Sequence, residues 1–382
     1  MKYDFIIFGG TGFQGSICAR DLLENNYKIL LVGRDKSSIS NILKNKNASF
    51  MKVDLTNYKE IVSAIKKSNP DVVINCAELV FNVQIMKACL ETKKPVTDLG
   101  GLQKITEQQF KFHKKFQEKE ILCLTGCGST PGIVNVMTAY AVDKLDSVET
   151  IKLGFAWNSN IKKFVIPYSM PSIFHEFTED PVTFHNGKFV REKRARCVGE
   201  VNFKEIGKQK VYCIVHSEVY TFSKYFRNKG LKNIHYMAGF PEHSFKVIQT
   251  LIDLGFNSEE EIEVSGNKIK IVDFTNKVLK KIKQPKNYRE VENIWAEIYG
   301  TKNGKDKLVK MNCLVRTLKG WEDAGSNIDT GRTIALISEM IKKGQIKDKG
   351  VYAPEAVVPQ KLFFNELAKR KMFVYENGKR IN

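Results

Sequence analysis

The chain has 382 residues, 42% hydrophobic and 27% charged, which is enough for two ordinary cores without covalent staples. No uncharged apolar run reaches the roughly 18 residues that a membrane span needs, so no membrane partner is expected and a cytoplasmic protein is. The formal net charge is +19, but the basic residues are scattered over helix faces (Lys114, Lys115, Lys119) and turns (Lys302, Lys305, Lys307), so no specific nucleic-acid partner is expected.

Asp4–Phe8 (DFIIF) is apolar without alternation, as suits a parallel strand buried on both faces. The glycine-rich run Gly9-Gly10-Thr11-Gly12-Phe13-Gln14-Gly15 follows. A helix opens on it, with Ile17, Leu22 and Leu23 on one side. Further strands are expected at Lys28–Val32, Phe50–Val53, Val72–Asn75, Pro95–Leu99 and Ile121–Thr125, with helices at Val83–Thr92 and Thr106–Lys119. This alternation predicts an α/β fold with a Rossmann doubly wound parallel sheet over residues 1–126.

The pattern changes after Pro131-Gly132. A helix at Ile133–Lys144 precedes strands at Thr150–Ala156, Val182–Phe184, Val211–Ile214 and His235–Gly239, and Asn186-Gly187 suits a hairpin turn. Helical periodicity returns at Glu242–Leu254 and Asp273–Ile282, and Lys307–Thr317 alternates again. Residues 127–325 therefore read as an inserted α+β substrate domain with a mainly antiparallel sheet. A last segment, 326–382, carries a helix at Arg332–Lys343.

A dinucleotide site needs a strand, a tight turn and a helix whose N-terminus faces the pyrophosphate. Gly9, Gly12 and Gly15 have that spacing in that setting, and Gly10 adds a further bare position. The choice of cofactor turns on the end of the second strand. An acid there accepts from a ribose hydroxyl and favours NAD, whereas an arginine pairs with a 2′-phosphate and favours NADP. This chain has Gly33-Arg34-Asp35, so NADP is expected, with NAD the alternative. Asp54, after the third strand, is placed for the adenine edge. Asn75 and Ala77, after the fourth, flank the nicotinamide side.

The eight cysteines are thinly spread, without a C-x-x-C pair. Free thiols in a reducing compartment are expected, with no disulfide framework and no metal site.

The glycine loop, Asp98-Leu99-Gly100-Gly101, Gly128-Ser129-Thr130-Pro131-Gly132, Gly239-Phe240-Pro241-Glu242 and Gly350-Val351-Tyr352-Ala353-Pro354-Glu355 occur in an order that resembles the saccharopine dehydrogenase family. Lysine 6-dehydrogenases are the closer look-alike branch. The resemblance implies that the C-terminal segment returns to the Rossmann domain and that Asp98 and Gly100 belong to the cofactor side. It implies hydride transfer at the C–N bond of an amino-acid-derived amine or imine, saccharopine or a related lysine derivative, in a homo-oligomer, a dimer. The departures fall on the substrate side. Thr130 stands where the saccharopine enzymes have aspartate, Tyr236 aligns with an arginine placed to hold a substrate carboxylate, and Gly33 replaces the acid of the lysine 6-dehydrogenases.

Ser129, Thr130 and Tyr236 are the expected substrate-binding residues, at the turn where the two domains meet. Glu176 and His216 are the acid–base candidates; His216 and Glu218 stand two apart, facing one way if on a strand. Two alternatives to the amine or imine oxidoreductase follow. One is an NAD-dependent deaminating enzyme of the lysine 6-dehydrogenase type; the other is a non-catalytic NADPH sensor or regulatory subunit.

Overall fold

The structure is a computed structural model, and it describes residues 2–193 and 197–382. The first unit runs β1 (Phe5–Phe8), α1 (Phe13–Glu24), β2 (Ile29–Gly33), β3 (Ala48–Lys52), α2 (Tyr58–Ser68), β4 (Val72–Asn75), α3 (Asn82–Thr92), β5 (Val96–Asp98), α4 (Gln103–Phe110), α5 (His113–Glu118) and β6 (Leu122–Leu124). All four residues of β1 are buried, because the strand lies between β2 and β4 with helices over both faces. The helix expected over Thr106–Lys119 is two helices, α4 and α5, separated at Lys111 and Phe112.

The second unit opens with α6 (Ile133–Val142). Nine of its ten residues are buried, as befits a helix that is apolar on nearly every side. Then follow β7 (Ser147–Ser159), α7 (Met170–Thr178), β8 (Val182–His185), β9 (Lys188–Arg191), β10 (Val198–Phe203), β11 (Gly207–Cys213), α8 (Glu218–Phe226), β12 (Asn233–Gly239), α9 (Glu242–Asp253), β13 (Glu261–Val264), β14 (Asn267–Lys270), α10 (Ile271–Leu279), β15 (Glu290–Lys302) and β16 (Lys305–Arg316). The chain ends with α11 (Ile328–Lys342), β17 (Gly350–Tyr352), α12 (Pro354–Val357), α13 (Gln360–Lys369), β18 (Phe373–Glu376) and β19 (Lys379–Arg380).

Two large sheets result. The first has the order β17-β6-β5-β4-β1-β2-β3 and is parallel throughout. The second has the order β10-β11-β12-β7-β15-β16-β18-β19, with β8 and β9 on its side, and is mixed because β12 runs parallel to β7. The C-terminal stretch serves both sheets. β17 joins the first beside β6, and β18 joins the second beside β16. Among the described residues, no helix is long and apolar enough to cross a membrane.

Two local expectations change. His216 and Glu218 do not share a strand, since β11 ends at Cys213 and Glu218 opens α8. Cys197 and Cys213 form a disulfide, contrary to the expected free thiols. The antiparallel β10–β11 register sets these cysteines opposite one another, with Cα atoms 5.4 Å apart, inside the range a disulfide spans.

The first helix and the returning helix are locked together. At Gly331 of α11 a Cβ would meet the Ile17 side chain of α1 at 2.5 Å, so only glycine permits this approach. One helical turn on from Ile17, the buried Asp21 carboxylate accepts from Arg332 Nε at 2.6 Å and from Arg370 Nε and Nη2 at 2.9 and 2.8 Å. Arg370 also donates to the buried Glu339 at 2.9 Å. Breaking a buried pair strands the remaining charges, so Asp21→Ala is expected to cost about 3–5 kcal/mol. Urea denaturation measures it; a loss under about 1 kcal/mol would place the clamp with surface ion pairs instead.

Candidate functional site

The glycine loop has the shape a dinucleotide needs. Gly9 has φ +70°, and a Cβ there would meet the Ala77 backbone nitrogen at 2.5 Å. At Gly15 a Cβ would meet the Gly9 carbonyl oxygen at 2.2 Å, whereas at Gly12 the nearest atom is 3.2 Å away. The loop is thus packed against protein at Gly9 and Gly15 and more open at Gly12. α1 begins at Phe13 without a side-chain cap, leaving the N–H groups of its first turn for an anion.

Gly33 has a steric reason. A Cβ there would overlap the Thr11 side chain at 2.3 Å, so Thr11 fills the space where an acid would stand. Ser38 Oγ donates to the Thr11 carbonyl at 2.9 Å. The exposed Arg34 follows; Asp54, whose pKa is lowered first by hydrogen bonds from Thr56, feels the charge of Arg34 only as a minor addition. These residues fit a phosphorylated ribose, with Arg34 as the phosphate's charged partner.

The other expected cofactor residues divide. Asp54 is exposed and accepts from Thr56 N and Oγ1 at 2.9 and 2.8 Å, closing its own turn. Asn75 is buried; it donates to Asn82 at 2.8 Å and accepts from Ala77 N at 3.0 Å, which sets the loop against Gly9. Asp98 is fully engaged by protein, accepting from Gly100 N at 2.8 Å, Gln109 Nε2 at 2.6 Å and Thr125 Oγ1 at 2.9 Å. Its role in this structure is to organise the loops at the strand ends rather than to reach a ligand. Gly100, at φ +61°, would collide with Gly126 if it carried a Cβ.

The Gly128–Gly132 turn closes on itself, with Gly128 N donating to the Pro131 carbonyl at 2.7 Å. Gly132 N donates to Asn135 Oδ1 at 2.8 Å, and Asn135 Nδ2 donates to Glu355 at 2.7 Å. The C-terminal Pro354-Glu355 pair therefore braces this turn. Ser129 faces Asp329 at the start of α11, and Thr130 faces the Tyr236 hydroxyl.

Around the turn lies an aromatic and acidic cluster. His216 and Tyr236 stack with ring centroids 3.9 Å apart, and His216 Nδ1 bonds the Glu218 carboxylate. Tyr168 donates to Glu176, and its ring packs on Phe155 and Phe240. Glu292, on β15, adds its charge to both tyrosines and lies against Asp329. Among the described residues no lysine or arginine pairs with Glu176, Glu218, Glu292 or Asp329. Glu218 Oε1, Asp329 Oδ2 and Glu355 Oε1 are buried without hydrogen-bond partners.

The fold thus brings together Glu176, His216, Ser129, Thr130 and Tyr236. Their sequence-distant neighbours Tyr168, Glu292 and Asp329 carried no local signal. His175 faces away, 3.7 Å from Glu179. Burial pushes Glu176 up to about 7, against the pull of His216 and the Tyr168 hydrogen bond. Burial also raises Glu355 to about 7. Glu292 and Asp329 are both raised, by burial and, for Glu292, by the charge of Asp329.

Comparison with known proteins bears on this geometry. Residues 5–124 match the model of the saccharopine dehydrogenase NADP-binding domain, and residues 128–372 that of the saccharopine dehydrogenase C-terminal domain. A carboxynorspermidine synthase of Vibrio alginolyticus is 23% identical over 385 residues, covering 92% of this chain and 91% of that protein. A carboxyaminopropylagmatine dehydrogenase of Synechocystis is 24% identical, covering 93% of each. The structure of the L-Glu-forming saccharopine dehydrogenase of Saccharomyces cerevisiae superposes with a TM-score of 0.76 at 12% identity, over the full length of both chains, which establishes the shared fold.

Two predictions follow from the cradle and the cluster. Arg34→Ala is expected to weaken NADP binding about 10- to 150-fold by loss of a charged hydrogen bond, and to spare NAD. Calorimetry with both cofactors checks this, and equal losses would remove Arg34 from the phosphate site. Glu176 and Glu355 hold their protons in the folded chain up to about pH 7, whereas an ordinary glutamate loses its own near 4.5. Stability from these groups therefore falls as pH rises from about 4.5 to about 7 and stays low above that. Glu176→Gln is expected to be more stable than wild type at about pH 8 but not at about pH 4.5. Urea melts at both values test the sign, and a difference independent of pH would contradict it.

Proposed function

The chain belongs to the saccharopine dehydrogenase family as an NADP-binding oxidoreductase, and on that premise we propose that it reduces the C=N bond joining a diamine to a carboxylate-bearing carbonyl compound. The observation that carries this reading is the acidic cluster: Glu218, Asp329 and Glu355 each keep a buried carboxyl oxygen without a partner, and among the described residues no lysine or arginine neutralises the cluster, His216 at Glu218 being the one basic group there. Such a site is costly unless its ligand is cationic. A diamine meets that need, since its second nitrogen stays charged while the first forms the C=N bond. The side chain of lysine belongs to the same chemical class. The polyamine-type products in the names of two relatives support the same substrate class.

NADPH supplies hydride to the imine carbon when bound. The protein's share is positioning and proton traffic. The stacked His216 and Tyr236 form a flat wall beside the reacting bond, and Glu218 fixes the imidazole through Nδ1, leaving Nε2 for the substrate. Glu176 is the acid–base group at the substrate nitrogen. Its carboxyl is half protonated near neutrality, where a general acid works best, and Tyr168 holds its orientation. Glu292 and Asp329 take the distal ammonium. The Ser129 and Thr130 N–H groups, which remain once Gly128 N and Gly132 N are engaged within the turn, hold the carboxylate, so that the site manages with Tyr236 where the saccharopine enzymes carry an arginine.

The test is NADPH oxidation with short diamines, agmatine or lysine, each paired with an amino-acid semialdehyde or a keto acid. Turnover is expected with a diamine and a semialdehyde. Turnover restricted to lysine and a keto acid would replace this reading with a saccharopine-forming one, and tight NADPH binding without any turnover would favour a sensor. Glu176→Gln is expected to lower kcat about 100- to 10,000-fold and to abolish the limb of the pH profile near pH 7. A retained limb would assign the proton to another group.

A further inference from the structure

The disulfide region holds a third donor that the proposed reaction does not use. Cys197 and Cys213 face each other across β10 and β11, where Cys213 N donates to the Cys197 carbonyl at 2.9 Å. Met237 of β12 pairs with Cys213, so His235, two residues earlier, points to the same face. The two sulfurs and a ring nitrogen of His235 all lie within 4.8 Å of one another. His235 Nδ1 is buried and, among the described residues, has no hydrogen-bond partner.

We propose that the reduced chain holds a zinc ion on Cys197, Cys213 and His235, and that the disulfide is the metal-free form of the same site. The donor set is that of zinc, which takes thiolate and imidazole together. Tetrahedral bonds of about 2.3 Å to sulfur and about 2.0 Å to nitrogen place donors roughly 3.5–4 Å apart, in keeping with the observed cluster. The donors come from β11, β12 and the residue that leads into β10, three neighbouring positions of one sheet, so little rearrangement is needed beyond separating the sulfurs. Water completes the fourth position.

The chemistry balances with a dithiol reductant. The dithiol gives two electrons and two protons to the S–S bond, yielding two cysteine thiols and its own cyclic disulfide. Zinc then displaces the two thiol protons and takes the imidazole lone pair without a further change of oxidation state. The site lies outside the reaction cluster, because the neighbouring Tyr236 points to the opposite face of β12.

The experiment uses the full chain, reduced with a dithiol, desalted without oxygen and titrated with zinc against a chromophoric chelator. Cobalt serves as a spectroscopic substitute for the thiolate bonds. One zinc per reduced chain is expected, with none while the disulfide is intact. His235→Ala and Cys213→Ser are each expected to weaken zinc binding by about 10- to 100-fold or more. NADPH binding verifies that each variant is folded, and His235→Ala can still form the disulfide. A reduced chain that takes up no zinc, or a His235→Ala chain that binds it as tightly as wild type, would overturn the site.

Discussion

The contact between α1 and α11 is the constraint on which the rest of the molecule depends. The glycine loop ends in α1, and Asp329 of the reaction cluster begins α11. The two helices touch at Gly331 with no room for a methyl group, and Asp21 gathers Arg332 and Arg370 just beyond. Anything that moved α11 would shift Asp329 relative to the loop that cradles the cofactor. The spacing between the glycine loop and Asp329 is thereby set by a helix–helix contact as well as by the braced turn that links the two sheets. The buried charges suit that task. They add little net stability over an apolar core, but they penalise any misplaced alternative packing.

The acidic cluster follows the opposite rule. Among the described residues no lysine or arginine pairs with its carboxyls, so in the empty protein Glu176, Glu292 and Asp329 resist ionisation. A ligand that brings positive charge relieves this. Part of the binding energy of a diamine would then come from restoring the ordinary charge state of Glu292, Asp329 and Glu176. Selectivity against neutral or anionic amines needs no steric gate under that arrangement.

Local features were legible in the sequence. The β1 strand and the glycine loop are continuous segments whose meaning lies in their own spacing. Arg34 could be weighed because the end of a second Rossmann strand has a known place. Glu176 and His216 were singled out as residue types suited to proton transfer, although nothing local said they would face each other. What stayed hidden depends on distant pairings. Glu292 lies on β15, a 13-residue strand whose mixed burial shows no clean period because it crosses several environments. Tyr168 and Asp329 reach the cluster only through the arrangement of the second sheet and α11. The Cys197–Cys213 bond depends on a strand register that spacing alone does not reveal. At Gly33 the absence of an acid was visible, but its cause, the Thr11 side chain, required coordinates.

The placement of β17 beside β6 also shapes how the protein comes into being. β6 is complete at Leu124, yet the strand that covers its open edge, Gly350–Tyr352, is made 226 residues later. At ribosomal speeds that interval lasts on the order of 10–45 s. During it the nascent Rossmann half carries a bare parallel edge and lacks α11, its partner for α1. The first sheet of this protein therefore gains its last strand only after the whole second unit up to α11 has been synthesised. Its cofactor cradle becomes final only once α11 and β17 have been made.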